Sequence, residues 1–154
     1  MAEAPKQCEN SGGGGRGGLG RAGTADTVDP VQLMVLAKEP IAGQVKTRLC
    51  PPFTPAEAAQ IAEACLADTL SAAVASGADR VVLVLEGQVG AWCPPGFDVI
   101  PQVSGTLGGR LAAGWEAVDG PAVQIGMDTP QVTAELLDAA MARVVDRPTR
   151  PGSA

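Results

Sequence analysis

The sequence contains no histidine and no tyrosine. That excludes imidazole acid–base catalysis, His-containing triads and imidazole metal ligands. Chemistry is left to carboxylates, lysine, arginine, backbone amides or a metal held by oxygen. Aromatic residues are 3% of the chain, and much of the 45% hydrophobic content is Ala and Val, so any core is thin per residue. No pair among Cys8, Cys50, Cys65 and Cys93 has C-x-x-C spacing, which argues against zinc and thioredoxin chemistry. No Walker sequence is present, and no G-x-G-x-x-G opens a helix after a strand. No apolar run approaches the roughly 20 residues of a membrane span. The polar, Gly-rich N-terminus has no apolar signal-peptide segment. The expected location is a reducing cytoplasm, with free thiols and no membrane partner.

What is present is concentrated in Val31–Leu49, VQLMVLAKEPIAGQVKTRL. An apolar run stops at Ala37 and empties into a Gly/Pro-broken loop carrying Lys38, Pro40, Gly43, Lys46, Thr47 and Arg48. Such a run reads as a buried strand delivering a phosphate-binding loop. Formal net charge is -6, so Lys38, Lys46 and Arg48 form a local anion site rather than a broad basic patch. A nucleic-acid partner is therefore not expected.

Residues 1–30 are Gly-rich and too poor in apolar surface to offset chain entropy, and read as a disordered extension. Arg16 and Arg21 make it mildly basic, but with no aromatic neighbour to stack on bases a plain extension is favoured over an RGG-like RNA-binding tail. From Val31 onward, strands and helices alternate. Val31–Ala37 is the first strand. Thr54-Pro55-Ala56-Glu57 is a capping box with Pro at the first helical position. Ile61, Cys65, Leu66, Thr69, Leu70 and Ala73 follow at helical spacing, and Gly77 is the stop. Arg80–Glu86 is the clearest strand, and Phe97–Pro101 is a short one. Leu107–Val118 reads as a helix despite Gly108, Gly109 and Gly114. Ala122–Met127 is a further strand. Thr133 opens a last helix with Leu136, Leu137, Ala140, Met141 and Val144 on one face. Residues 146–154 are a polar, Pro-containing tail.

This alternation predicts an α/β three-layer sandwich around a mostly parallel sheet. Ligands in such sheets bind beyond the carboxyl ends of the strands. Lys38–Leu49 and Gly126–Pro130 both fall there. In the first loop, Lys46 and Arg48 offer a point charge and a bidentate fork suited to a diphosphate, and Gly43 permits close backbone approach. A solvated loop that merely starts a helix is an equal reading. In the second loop, Asp128 can hold Mg²⁺ or Mn²⁺ beside substrate phosphates, or can be an ordinary turn residue before a helix. Between them, PQVSGTLGGR places Gln102 to read a base or ribose edge and Arg110 to reach phosphate, unless Arg110 is simply exposed. Trp92 and Trp115 are expected to pack rather than stack on a ligand. Without a partner base the four thiols are expected to be inert.

Taken together, AKEPIAGQVKTRL, TPAEAAQIAEACLADTL, PQVSGTLGGRL and IGMDTPQVTAELLDAA resemble the glycosyltransferase-A-like proteins of uncharacterised function, labelled as radical-SAM- and selenium-associated transferases. These are related to nucleotide-diphospho-sugar transferases and, more distantly, to guanylyltransferase-type nucleotidyltransferases. The resemblance covers about Val31 to Met141 and implies a glycosyltransferase-A, Rossmann-like fold. It implies a nucleotide or nucleotide-sugar ligand at Lys38, Gly43, Lys46, Arg48, Gln102 and Arg110. It also implies Mg²⁺ or Mn²⁺ at Asp128. The sequence departs from the family at Gln44, Thr106 and Gly109, where a basic and two acidic residues are common. The family continues with a further strand and an acidic E-D-G-G segment, which VVDRPTRPGSA does not match. Residues 31–145 then correspond to the nucleotide-binding half of an incomplete, C-terminally truncated domain. Its last strand would present an uncovered edge open to self-association. The implied activity is a sugar-nucleotide transfer, with nucleotidyl transfer and a catalytically inactive nucleotide-binding module as alternatives. No catalytic residue is identified.

Overall fold

The computed structural model describes residues 29–146, and the expectations for the extension over 1–30 and the tail over 146–154 fall almost wholly outside them. Four strands form the sheet: β1 (Gln32–Lys38), β2 (Arg80–Glu86), β3 (Asp98–Pro101) and β4 (Ala122–Gly126). Their order is β3-β2-β1-β4, and every pairing is parallel. Three helices accompany them: α1 (Pro55–Ala75), α2 (Leu107–Glu116) and α3 (Ala134–Val145). The expected α/β sandwich is therefore present.

Strand alternation divides the core into two layers. Leu33, Val35, Ala37, Leu83 and Leu85 face α1 and α3, and pack with Leu66, Leu70, Ala73, Leu137 and Met141. Met34, Val82 and Val84 face the other way and pack with Val118 beyond α2. Gly114 lets α2 approach, since a Cβ there would meet Met34 Sδ at 3.0 Å. The α1/α3 side is the thicker layer.

Several boundaries differ from the sequence reading. β1 begins at Gln32 and includes Lys38, because Lys38 completes the ladder opposite Glu86. β3 begins at Asp98, and β4 ends at Gly126. α2 stops at Glu116, where Ala117 caps it. The buried stripe of α1 is Ala58, Ala59, Ala62, Leu66, Thr69, Leu70 and Ala73; Ile61 and Cys65 flank it, half-buried. On α3 only Leu137 and Met141 are buried, and Leu136 is exposed. Trp92 packs against the larger core cluster as expected, whereas Trp115 stays 43% exposed. No helix among the described residues is long and apolar enough to cross a membrane.

Candidate functional site

The sheet places the chemistry-bearing residues along its carboxyl edge. The chain leaves β1 toward α1 and β2 on one side, and β4 lies on the other side of β1. The β1/β4 boundary is thus the point where strand order reverses and where open α/β sheets bind ligands. The loop after β1 and the loop after β4 flank that point.

The first loop is anchored rather than free. Val45 is buried with Ala59 and Ala62 of α1, and Met127 packs on them. Gly43 adopts φ 79, and a Cβ there would meet nothing within 4 Å. Its requirement is conformational, and the space in front of it is open. Lys46 follows the Val45 anchor at φ 47, ψ 33, a left-handed conformation unusual for a long side chain. It is the only non-glycine residue with positive φ among the described residues. A short 3-10 turn, Thr47–Leu49, carries Arg48, which is exposed and forms no ion pair with a described residue.

The second loop is fixed from below. Met127 N–H donates to Leu36 O at 3.0 Å, extending the ladder past β4. The fully buried Thr69 hydroxyl lies 2.8 Å from Cys65 O and 3.3 Å from Met127 O. Thr129 Oγ1 donates to Gly126 O at 2.6 Å. Between these contacts lies Asp128, mostly exposed. Lys46 Nζ lies 2.6 Å from Asp128 Oδ1, with the Lys46 side chain 21% exposed and the Asp128 side chain 62% exposed.

A second cluster lies at the ends of β1 and β2. Lys38 and Glu86 are register partners, and Lys38 Nζ lies 3.2 Å from Glu86 Oε1. Arg110 Nη1 lies 3.2 Å from Glu86 Oε2 and donates to Gln102 Oε1 at 3.0 Å. Arg110 Nε is buried and has no partner among the described residues. Gln102 itself is held by its N–H, which donates to Leu85 O at 2.8 Å. Arg110 is thus a part-buried bridge rather than an exposed side chain.

The structure brings Lys46 and Asp128 together, and separately Lys38, Gln102 and Arg110. Gly43 and Arg48 lie in the same loop as Lys46, with no hydrogen bond or ion pair to either group. Sequence reasoning missed Glu86, which joins the second cluster; its one signal was a carboxylate ending an apolar strand. It also missed Glu39, whose Oε2 accepts from Gln88 N–H at 2.7 Å. Val45 and Thr69 were legible only as apolar and helical spacing, with no sign of their positioning roles.

Among the described residues no group of three or more His, Cys, Asp or Glu side chains could hold a metal. Asp128 offers a single hard oxygen ligand in the loop after β4. That donor set fits a Mg²⁺ or Mn²⁺ shared with phosphate oxygens, and does not fit a cation held by protein alone. Charges at the opposite edge are used internally: Arg80 Nε lies 2.7 Å from Asp98 Oδ2, and Asp138 Oδ1 accepts from Gly77 N–H at 2.7 Å.

A family model, DUF2064, described as an uncharacterized protein conserved in bacteria, matches residues 61–149. Its match begins within α1, so the Lys38–Leu49 loop lies outside it. Among solved structures, a "putative nucleotide-diphospho-sugar transferase" from Desulfovibrio desulfuricans G20 is similar at 22% identity and TM-score 0.62. That likeness covers 73% of this chain and 53% of the other, so this chain spans about half that protein's length. Rv0371c from Mycobacterium tuberculosis H37Rv is similar at 21% identity and TM-score 0.47, over 75% of this chain and 60% of the other. A manganese complex of Rv0371c gives 21% identity and TM-score 0.45, over 77% and 61%. No curated protein matches. The Desulfovibrio structure shows a shared fold.

Proposed function

The chain belongs to the DUF2064 family, and from that premise we propose that it binds a nucleoside diphosphate, as in a nucleotide-sugar, together with a divalent cation. One observation carries the reading: Lys46 Nζ stands 2.6 Å from Asp128 Oδ1 across the β1/β4 switch point. A cation donor and a hard oxygen ligand thereby face one space, where a diphosphate and its counter-cation would sit. Lys46 and Arg48 would neutralise the diphosphate, Lys46 as a point charge and Arg48 as a fork. Asp128 would hold Mg²⁺ or Mn²⁺ jointly with phosphate oxygens. When bound, the cation supplies charge neutralisation of the leaving nucleotide. Gly43 would keep the loop open to the phosphates. Lys38, Gln102 and Arg110, tied through Glu86, would line the nucleoside side of the site.

In this reading residues 31–145 act as the nucleotide-binding half of a glycosyltransferase-A-like domain. The reaction class is transfer from a nucleotide-diphospho-sugar. Among the described residues Cys50, Cys65 and Cys93 form no disulfide, which suits a reducing cytoplasm. The test is a thermal-shift screen of nucleoside diphosphates and their sugar conjugates, with Mn²⁺, Mg²⁺ or EDTA. At least one diphosphate should raise Tm, and more so with metal. No shift with any nucleotide under any condition would contradict the reading.

A further inference from the structure

We infer that the Lys46–Asp128 pair is a latch that keeps the cation site closed until a diphosphate arrives, so that cation and diphosphate load as one unit. The inference rests on the reading above and adds the order of loading.

Three observations carry it. The Lys46 ammonium lies 2.6 Å from Asp128 Oδ1, where a divalent ion would need to bind. Ammonium and metal therefore compete for the same carboxylate. Carboxylates at the ends of β1 and β2 are already in use: both oxygens of Glu86 are engaged, one by Lys38 and one by Arg110, and Glu39 Oε2 accepts from Gln88 N–H. Without phosphate oxygens a metal at Asp128 would have a single protein ligand and a competing ammonium. Finally, Lys46 holds φ 47, a conformation that a lysine rarely adopts. The Val45 anchor beside it delivers the side chain to Asp128 from that conformation.

A diphosphate resolves the competition. Its oxygens offer Lys46 a more highly charged acceptor, which frees Asp128 Oδ1. The same phosphates then supply the remaining metal ligands. Linkage makes the effect reciprocal: the cation strengthens diphosphate binding by the factor with which the diphosphate strengthens cation binding.

The test is Mn²⁺ binding to the full chain, read from the electron paramagnetic resonance of free Mn²⁺ and corrected by a protein-free nucleotide titration. Without nucleotide, the wild-type chain should hold Mn²⁺ no better than Asp128→Asn. Adding a nucleoside diphosphate should raise Mn²⁺ affinity at least about ten-fold in the wild type and not in Asp128→Asn, a coupling of typical size. Lys46→Asn removes the ammonium and suits the left-handed backbone; Lys46→Gly does the same if the Asn variant folds poorly. Either should bind Mn²⁺ without nucleotide about five-fold more tightly than wild type, the equivalent of an ion pair of about 1 kcal/mol. Equal nucleotide-free Mn²⁺ affinity in wild type and both Lys46 variants would overturn the latch, even if nucleotides bind. A nucleotide that binds without altering Mn²⁺ affinity would also overturn it. Absence of any nucleotide binding would instead count against the proposed function, and the nucleotide-free arm would still decide the latch.

Discussion

Lys46 and Asp128 come from loops far apart in the chain, and their proximity is a product of strand order. Replacing both Lys46 and Arg48 with Ala should weaken nucleoside diphosphate binding by about 1.5–3 kcal/mol per lost charge-assisted hydrogen bond. Calorimetry on the double variant checks this, and unchanged affinity would remove the loop from the site. Asp128→Asn should abolish the metal-dependent part of nucleotide binding while leaving Tm nearly unchanged, since the Asp128 side chain is mostly exposed. A variant that melts far earlier yet binds metal–nucleotide normally would make Asp128 a turn residue. Glu86→Gln is a third residue-scale test. It removes the charge that Lys38 and Arg110 share, leaving a part-buried cation without its counter-charge. The expected cost is about 1 kcal/mol in denaturant unfolding, the scale of a partly exposed pair.

At the scale of elements, the loops are held by ordinary local chemistry. Thr54 and Glu57 form a complete capping box at α1: Glu57 N–H donates to Thr54 Oγ1 at 3.3 Å, and Thr54 N–H donates to Glu57 Oε2 at 2.8 Å. Thr54→Ala should cost about 1 kcal/mol. Hydrogen bonds from the Thr54 backbone N–H and then its hydroxyl hold the Glu57 carboxyl below the usual carboxylate range. A lowered folded-state value means that the contribution is present above the unfolded carboxylate range. It is lost as pH falls through the folded value. The Tm difference between wild type and Thr54→Ala should therefore shrink on acidification, which scanning calorimetry at neutral and acid pH would read. Gly87 is different. It takes φ 114, and a Cβ there would meet Glu39 Cβ at 2.5 Å. Gly87→Ala should cost about 1–3 kcal/mol, because strained backbone and close approach act together.

Much of this level was legible in the sequence. The capping box, the apolar strands and the Thr133 cap follow from side-chain chemistry at fixed spacing, and they appear where expected. What was not legible depends on tertiary neighbours. Nothing local to Glu86 says that Lys38 is its register partner, and nothing in Leu136 says that α3 turns it to solvent. For α1, alanines on several sides of the helix left the buried stripe open to rotation, and the structure buries Ala58 and Ala62 while Ile61 and Cys65 flank the stripe. Lys46 and Asp128 were each visible as candidates, but their contact was not, because it arises only when β4 lies beside β1.

For the molecule as a whole, the order β3-β2-β1-β4 leaves β3 and β4 as edge strands among the described residues. Edges are where further structure or another chain can pair. The same order creates the switch point and gathers the charges there, in a chain whose overall charge is -6. The proposed function requires that the β1 and β4 loops jointly hold a metal–diphosphate. The most direct measurement is calorimetric titration of a nucleoside diphosphate into the wild-type chain and Asp128→Asn, each with Mn²⁺ and with EDTA. Binding should be tighter with Mn²⁺ in the wild type, with no difference between Mn²⁺ and EDTA in Asp128→Asn. Equal metal enhancement in both proteins would contradict the proposed function.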